Sequence, residues 1–241
     1  MAPQKVALVT GAGGSMGQAA ARALIQDGVK VILNDIDGEM LEKSASEIDG
    51  DTITSLFDIS NSEKVKETLK SLGEIDILVN NAGILSTGKL LSTSDDEWRR
   101  VMQVNLDGAF MLSRAVVPGM KRRGWGRIIN VSSLAAKSGG ITAGIAYATS
   151  KGALVSLTFS LARELAPFGI TVNGIAPAYV RTRMITEGHT EEQRQKLLGE
   201  IPVGRFCEPE EFGHVVRFLA HPLAGYITGE IIDLNGGLLF D

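Results

Sequence analysis

A single cysteine, Cys207, excludes an internal disulfide and fits a reducing compartment. No uninterrupted apolar run approaches the ~18 residues of a membrane span. No basic stretch followed by an apolar one opens the chain, so neither secretion nor membrane insertion is expected. The formal net charge of -4 offers no basic excess for nucleic acid or an anionic membrane. The three histidines, His189, His214 and His221, stand in no distinctive context, and no metal is expected. Repeats, linkers and low-complexity tracts are missing too. What these absences leave is a cytoplasmic globular protein. With 241 residues, 44% of them apolar, the chain can bury one large core without staples.

Short β-branched runs alternate with longer helical patterns. The strand candidates are residues 6–10, 29–35, 52–58, 75–80, 127–132, 171–175 and 231–234. Most are apolar on both faces, as strands covered by helices on both sides require. Helical patterns fall at 16–26, 38–47, 62–71, 95–121, 146–166 and 209–219. Each begins or breaks at a cap or punctuator: Asp37-Gly38, Asn61-Ser62, Ser94-Asp95 and Pro209. This alternation predicts a single α/β domain over 1–241, a Rossmann-like doubly wound parallel sheet of about seven strands. The polar stretch 178–205 breaks the rhythm. It carries Glu187-Gly188-His189-Thr190 before a short helical run at 191–198, and an insertion of this kind suits a lid over a binding site.

The first strand runs into Thr10-Gly11-Ala12-Gly13-Gly14-Ser15-Met16-Gly17, followed by an alanine-rich helix. Glycine lets the backbone approach a pyrophosphate, and a helix N-terminus offers free N–H groups. The strict dinucleotide fingerprint fails because Met16 stands where its last glycine belongs, and the P-loop fails for want of a Gly-Lys-Ser/Thr. Two other readings fit these residues. One is a turn needed for tight strand–helix packing. The other is a hydrolase nucleophile elbow in Gly13-Gly14-Ser15-Met16-Gly17, against which stands its position after only one strand. Asp35 favours the dinucleotide. It ends the second strand 18 residues after Gly17, near the spacing expected of the acid that binds an adenosine ribose. A carboxylate there accepts ribose hydroxyls and repels the 2′-phosphate of NADP. Asp37 suits the role of a helix cap better.

Tyr147 and Lys151 are spaced i, i+4 on a predicted helix and share a face. A phenol titrates near 10, too high for a base at neutrality, and a nearby ammonium lowers that value. The pair makes a tuned acid/base, or else an ordinary surface-helix pair. Ser133 ends the fifth strand, at the side of the sheet where ligands bind, and can converge with Tyr147 on one substrate oxygen. Ser132 points the other way and reads as structural.

Taken in order, Thr10-Gly11 to Gly17, Asn80-Asn81-Ala82-Gly83, Asn105, Asn130-Val131-Ser132-Ser133, Tyr147-Ala148-Thr149-Ser150-Lys151 and Asn173-Gly174-Ile175-Ala176-Pro177 resemble the short-chain dehydrogenase/reductase family. The resemblance extends to Tyr226-Ile227-Thr228-Gly229-Glu230 and Gly236-Gly237, essentially the whole chain. Within the family the chain looks like 3-oxoacyl-acyl-carrier-protein reductases and related secondary-alcohol dehydrogenases. Two departures are small-for-small: Ser15 where the family has glycine or alanine, and Ala178 where it has glycine.

The resemblance implies an oxidoreductase that interconverts a small-molecule alcohol and a ketone by hydride transfer. It implies Tyr147 as acid/base, Lys151 as the group that depresses the tyrosine and binds the nicotinamide ribose, Ser133 as the holder of the substrate oxygen, and Asn105 as the anchor of a relay water. For the cofactor it implies Gly11, Gly14, Ser15, Met16, Gly17, Asp35 and Ile36 at the adenosine and pyrophosphate end. Asp58 and Ile59 would flank the adenine, Asn81, Ala82 and Gly83 line the path to the nicotinamide, and Pro177, Val180 and Thr182 meet the carboxamide. Tyr179 is a further substrate candidate. With Gly13, Gly14, Asp35 and Ile36 where NADP-using relatives carry basic residues, NAD is the expected cofactor. The alternatives are an NADPH-dependent 3-oxoacyl-acyl-carrier-protein reductase and a dinucleotide-binding regulator without catalysis. A homotetramer is expected, with Val116, Val117, Met120, Leu154, Leu157, Phe159 and Leu161 supplying apolar surface.

Overall fold

In the computed structural model, residues 3–186 and 190–240 are described. Seven strands form one parallel sheet: β1 (Val6–Thr10), β2 (Lys30–Asp35), β3 (Thr52–Leu56), β4 (Ile77–Asn80), β5 (Gly126–Val131), β6 (Ile170–Pro177) and β7 (Ile231–Leu234). Their order is β3-β2-β1-β4-β5-β6-β7. The chain winds outward from β1 to one edge, then restarts at β4 and winds to the other. The crevice this reversal opens at the carboxyl ends of β1 and β4 is where such sheets take ligands. β5 and β6 are buried throughout, whereas the edge strands β3 and β7 are only partly buried. That gradient follows from covering a parallel sheet on both faces.

The helices are α1 (Ser15–Ile25), α2 (Gly38–Glu47), α3 (Ser62–Leu72), α4 (Asp95–Met102), α5 (Gly108–Arg123), α6 (Ala135–Ser138), α7 (Ile145–Leu165), α8 (Arg183–Thr186), α9 (Glu191–Glu200) and α10 (Pro209–Ala220). Two cores flank the sheet. One joins β-strand side chains such as Val9 and Val31 to Ala20, Leu24, Leu41 and Phe212 of α1, α2 and α10. The other joins Leu8, Leu78 and Ile128 to Val65, Leu112, Met120 and Leu165 of α3, α5 and α7. Each large apolar side chain so buried contributes about 1.5–3 kcal/mol. The caps fall where the sequence places them. Asp37 accepts the Met40 N–H, Asn61 those of Glu63 and Lys64, and Ser94 that of Glu97; Pro209 occupies the first turn of α10.

Three expectations change. The third strand stops at Leu56, so Asp58 lies in the turn beyond it, where its carboxylate accepts the Ser60 N–H and Oγ–H at 2.8 and 2.7 Å. The helix expected over 95–121 is interrupted by a π-helical turn, Gln103–Asp107, between α4 and α5. Val116, Met120 and Leu154, expected as surface, are buried in the subunit's own core. The apolar side chains that α4, α5 and α7 expose are Trp98, Phe110 and Phe159.

The stretch 178–205 holds α8 and α9. Ile185, Leu197, Ile201 and Phe206 form a small apolar cluster there, with Tyr179 and Leu198 packed against it. Residues 187–189, including His189, lie outside the described residues. Among those described, no helix is long and apolar enough to cross a membrane, and no group of three or more potential metal ligands occurs.

Candidate active site

At the end of β1 the backbone turns through Gly11 at φ 65°. A Cβ there would lie 2.9 Å from the Ala82 Cα, and one on Gly17 would lie 2.3 Å from the Gly11 carbonyl oxygen. Both glycines are therefore forced by close approach of backbone to backbone. The tight-packing reading of this loop is thus correct as far as it goes. A second feature points outward. α1 begins on Gly14 with no capping side chain, and the Ser15 Oγ is buried without a hydrogen-bond partner. An uncapped helix start beside an unsatisfied hydroxyl fits the pyrophosphate of a dinucleotide.

Thr10 knits this loop to the next strand. Its Oγ1 accepts the Asn81 and Ala82 N–H groups at 3.1 and 3.0 Å and donates to the Val79 carbonyl at 3.2 Å. The Asn81 Nδ2 donates to the Thr10 and Gly11 carbonyls. So the Asn81 side chain braces the loops together, and only its backbone neighbours, Ala82 and Gly83, are left to face a ligand. Ile59 is held in a similar way. Its side chain is buried in the core beside Gly108, where a Cβ would lie 2.8 Å from Cδ1, so only its backbone can meet an adenine. Val180 is buried too, on a bridge to Cys207.

Asp35 stands at the mouth of the crevice. Its Oδ2 accepts the Gly13 N–H at 2.9 Å, and its Oδ1 accepts those of Ile36 and Asp37 at 2.8 and 3.1 Å. Three backbone donors from two segments hold the carboxylate in one orientation. Ile36 beside it is 69% exposed, an apolar side chain free to cover a flat ring.

At the carboxyl end of β5, Ser133 and Tyr147 line one open cleft. Leu85, Leu134, Ala135, Ile141, Ala143, Tyr179 and Ile185 also line it, and no described lining residue is charged. Ser132 points away and donates to the Lys151 carbonyl at 2.9 Å, a structural role. Lys151 is buried, and its Nζ donates to the Val131 carbonyl at 2.7 Å and lies 5.7 Å from the Tyr147 ring centre. Burial pulls its ammonium down to about 8. Burial also raises the Tyr147 phenol above its ordinary value, with the Ser133 hydroxyl working in the opposite direction. The expected depression of the tyrosine is therefore not the balance struck here: desolvation outweighs the helpers.

Asn105 sits in the π-helical turn. Its Oδ1 accepts the Ile84 N–H at 2.8 Å, and its Nδ2 donates to the Ile84 carbonyl and the Ser150 Oγ. The side chain is thereby held against Ile84 and Ser150 by three hydrogen bonds. π turns free backbone groups and recur at functional sites. Sequence reasoning did not foresee a buried chain in which the Asn80 Nδ2 donates to the Asn130 Oδ1 at 2.8 Å and the Asn130 Nδ2 to the Thr158 Oγ1 at 2.9 Å. Two asparagines on adjacent strands, Asn80 and Asn130, were its only signal in the sequence.

A glycine-walled loop at an uncapped helix start, a carboxylate held at the end of β2 and a Ser–Tyr–Lys cluster at the same end of a doubly wound sheet point to a dinucleotide-dependent oxidoreductase. Comparison with known proteins narrows the class. A family model described as enoyl-(acyl carrier protein) reductase matches residues 11–239. The chain is 41% identical to the 3-oxoacyl-acyl-carrier-protein reductase of Vibrio cholerae and 40% identical to that of Aquifex aeolicus, in each case over 97% of both chains. Two solved structures superpose with TM-scores of 0.90. One is a short-chain type dehydrogenase/reductase from Mycobacterium marinum, 32% identical over 97% of this chain and 95% of that one. The other is a candidate NAD(P)-dependent gluconate 5-dehydrogenase from Beutenbergia cavernae with bound NADP, 34% identical over 97% and 96%. The chain belongs to the short-chain dehydrogenase/reductase family.

Proposed function

We propose that this protein interconverts a ketone and a secondary alcohol with NAD(H), and that the observation carrying this is the convergence of Ser133 and Tyr147 in one uncharged cleft with Lys151 buried behind them. The dinucleotide supplies the hydride when bound. Gly11, Gly14, Ser15, Met16 and Gly17 hold its pyrophosphate end, and Asp35 and Ile36 its adenosine. The Asp58 turn, the Ala82–Gly83 backbone, Pro177, Val180 and Thr182 line the remaining length. Ser133 donates to the substrate oxygen, and Tyr147 passes its proton to that oxygen as the hydride arrives. A phenol held above its usual value is protonated at neutrality, which suits donation in the direction of reduction. Lys151 offsets the charge left on the phenolate and holds the ribose.

The cleft favours a neutral substrate, because a carboxylate bound there would meet no countercharge from the described lining. The relatives from Vibrio cholerae and Aquifex aeolicus support 3-oxoacyl thioesters as the substrate class. That is the reading of an acyl-carrier-protein reductase, and it differs from ours chiefly in the cofactor, where Asp35 speaks for NAD. The segment 178–205 serves as the lid. The protein works in the cytoplasm as a homotetramer, with Trp98, Phe110 and Phe159 within its interfaces. The deciding experiment follows NADH and NADPH absorbance with a panel of simple ketones, gluconate-like acids and 3-oxoacyl thioesters. Turnover of a neutral ketone or thioester is expected. Binding of dinucleotide without any turnover would make this a regulator instead.

A further inference from the structure

The loop after Gly83 and the segment before Tyr147 are clasped backbone to backbone. The Gly144 N–H donates to the Ser86 carbonyl at 2.6 Å, and the Ile145 N–H donates to the Gly88 carbonyl at 3.0 Å. A third bond closes the clasp, from the Lys89 Nζ to the Ala143 carbonyl at 2.9 Å. The approach leaves no room for a side chain. A Cβ on Gly144 would lie 2.4 Å from the Gly88 carbonyl oxygen and 2.6 Å from both the Gly88 nitrogen and the Thr87 carbonyl carbon. All three are backbone atoms, so relief requires the loop or the helix to move by about 1 Å, the difference from an ordinary contact. Gly144 has φ -89°, so its glycine is demanded by this contact and not by conformation.

The loop is itself held from the other side. The Ser86 Oγ donates to the Glu97 Oε1 of α4 at 2.7 Å, and Asn105 of the π-helical turn bonds both the N–H and the carbonyl of Ile84. The clasped segment leads directly into α7, whose first turn carries Tyr147. A continuous set of bonds thus runs from α4 and the π turn, through 84–88, to the start of the helix that sets the height of the phenol.

We infer that Gly144 is a positioning residue, and that its side-chain-free contact with Gly88 fixes Tyr147, at the start of α7, relative to Ser133 beyond β5. The inference rests on the reading of Tyr147 as the proton donor, since only then does its height matter to rate. A shift of about 1 Å in a proton donor is enough to cost on the order of a hundredfold in rate. Nothing in the clasp touches the phosphate loop or Asp35, so the two ends of the site respond differently.

The test is Gly144→Ala in the full chain, with the wild type assayed first. Absence of any wild-type turnover with either cofactor would overturn the proposed function itself, and with it this inference. Given turnover, Gly144→Ala is expected to lower kcat tenfold or more, to change the dissociation constant for NADH less than about threefold, and to move the alkaline limb of the pH–rate profile. Unchanged kcat and profile in a folded variant would overturn the inference. So would a fall in melting temperature with full activity per folded molecule, which is what a purely structural role gives. Lys89→Met loosens the same clasp from the surface and covers the case in which Gly144→Ala does not fold. It is expected to lower kcat two- to fivefold with a profile shift of the same sign, and an unaltered profile there counts against the inference equally.

Discussion

The Asp35 carboxylate accepts the Gly13 backbone N–H at 2.9 Å, so the acid that ends β2 is tied to the phosphate loop that follows β1. Its other oxygen is held by the Ile36 and Asp37 N–H groups. A carboxylate gripped at both oxygens does not swing aside for a phosphate. Two unit charges ~4 Å apart repel by about 4 kcal/mol at an effective dielectric of 20, less with solvent screening. Even half of that is roughly a thirtyfold preference. The wild type is expected to favour NAD over NADP at least tenfold in kcat/KM, and Asp35→Ala to narrow the gap by weakening NAD and admitting NADP. Steady-state kinetics with both cofactors on both proteins checks this, and equal wild-type efficiencies would remove Asp35 as the selector.

Much of this arrangement was legible before the structure. The parallel, two-side-covered sheet follows from β–α alternation, because parallel strands buried on both faces are written as near-continuous apolar runs such as Val6–Thr10. The caps at Asp37, Asn61 and Ser94 are local chemistry. What escaped is long-range. Nothing near Asn105 in sequence says that its amide closes on Ile84, 21 residues away, or that a π turn is needed to bring it there. Burial of Ile59 and Val180 was equally hidden, since a motif position names a residue and not the direction of its side chain. The balance at Tyr147 was misjudged for the same reason. The i, i+4 spacing shows the lysine, but only packing shows that Lys151 is buried and that the phenol beside it is partly desolvated.

Tyr147→Phe deletes the phenolic oxygen and little else. Turnover is expected to fall below a tenth of wild type, a loss of more than ~1.4 kcal/mol in the barrier, while NADH still binds with its fluorescence change. Lys151→Ala is expected to lower both turnover and dinucleotide affinity, because it is assigned to both tasks. A Tyr147→Phe variant that kept more than a tenth of the normal rate would remove Tyr147 from the role of proton donor.

Reduction should carry the signature of the lysine. Its ammonium is charged below about 8 and neutral above it, whereas the phenol, raised above its ordinary value, keeps its proton across this range. The kcat/KM for a ketone is therefore expected to be level from pH 6 to about 8 and to decline above it. Oxidation of the alcohol, which needs the phenolate, is expected to rise with pH over the same interval. Rates measured in both directions from pH 6 to 10 test the pair. A reduction limb that stays flat to pH 10 would show that the charge on Lys151 does not assist proton transfer.

The same burial makes Lys151 a cost to the fold. A lysine whose value falls from 10.5 unfolded to about 8 folded is one the folded state prefers neutral. Below pH 8 both states are protonated, and the folded state bears the full penalty of the buried charge, about 3 kcal/mol. Between 8 and 10.5 the penalty shrinks as the folded lysine gives up its proton, and above 10.5 it is gone. Lys151→Met keeps the length of the side chain and removes the charge. It also leaves the buried Val131 carbonyl without its donor, which costs about 1–3 kcal/mol and offsets part of the gain. The variant is expected to be inactive, yet to melt no lower than wild type at pH 7, and up to a few degrees higher. The difference between the two proteins should move steadily in favour of wild type as the pH is raised toward 10.5. Melting temperatures of both proteins at pH 7, 8.5 and 10 decide the matter. A difference that does not change with pH would mean that Lys151 keeps its ordinary affinity for the proton, and that its charge is better solvated than its packing indicates.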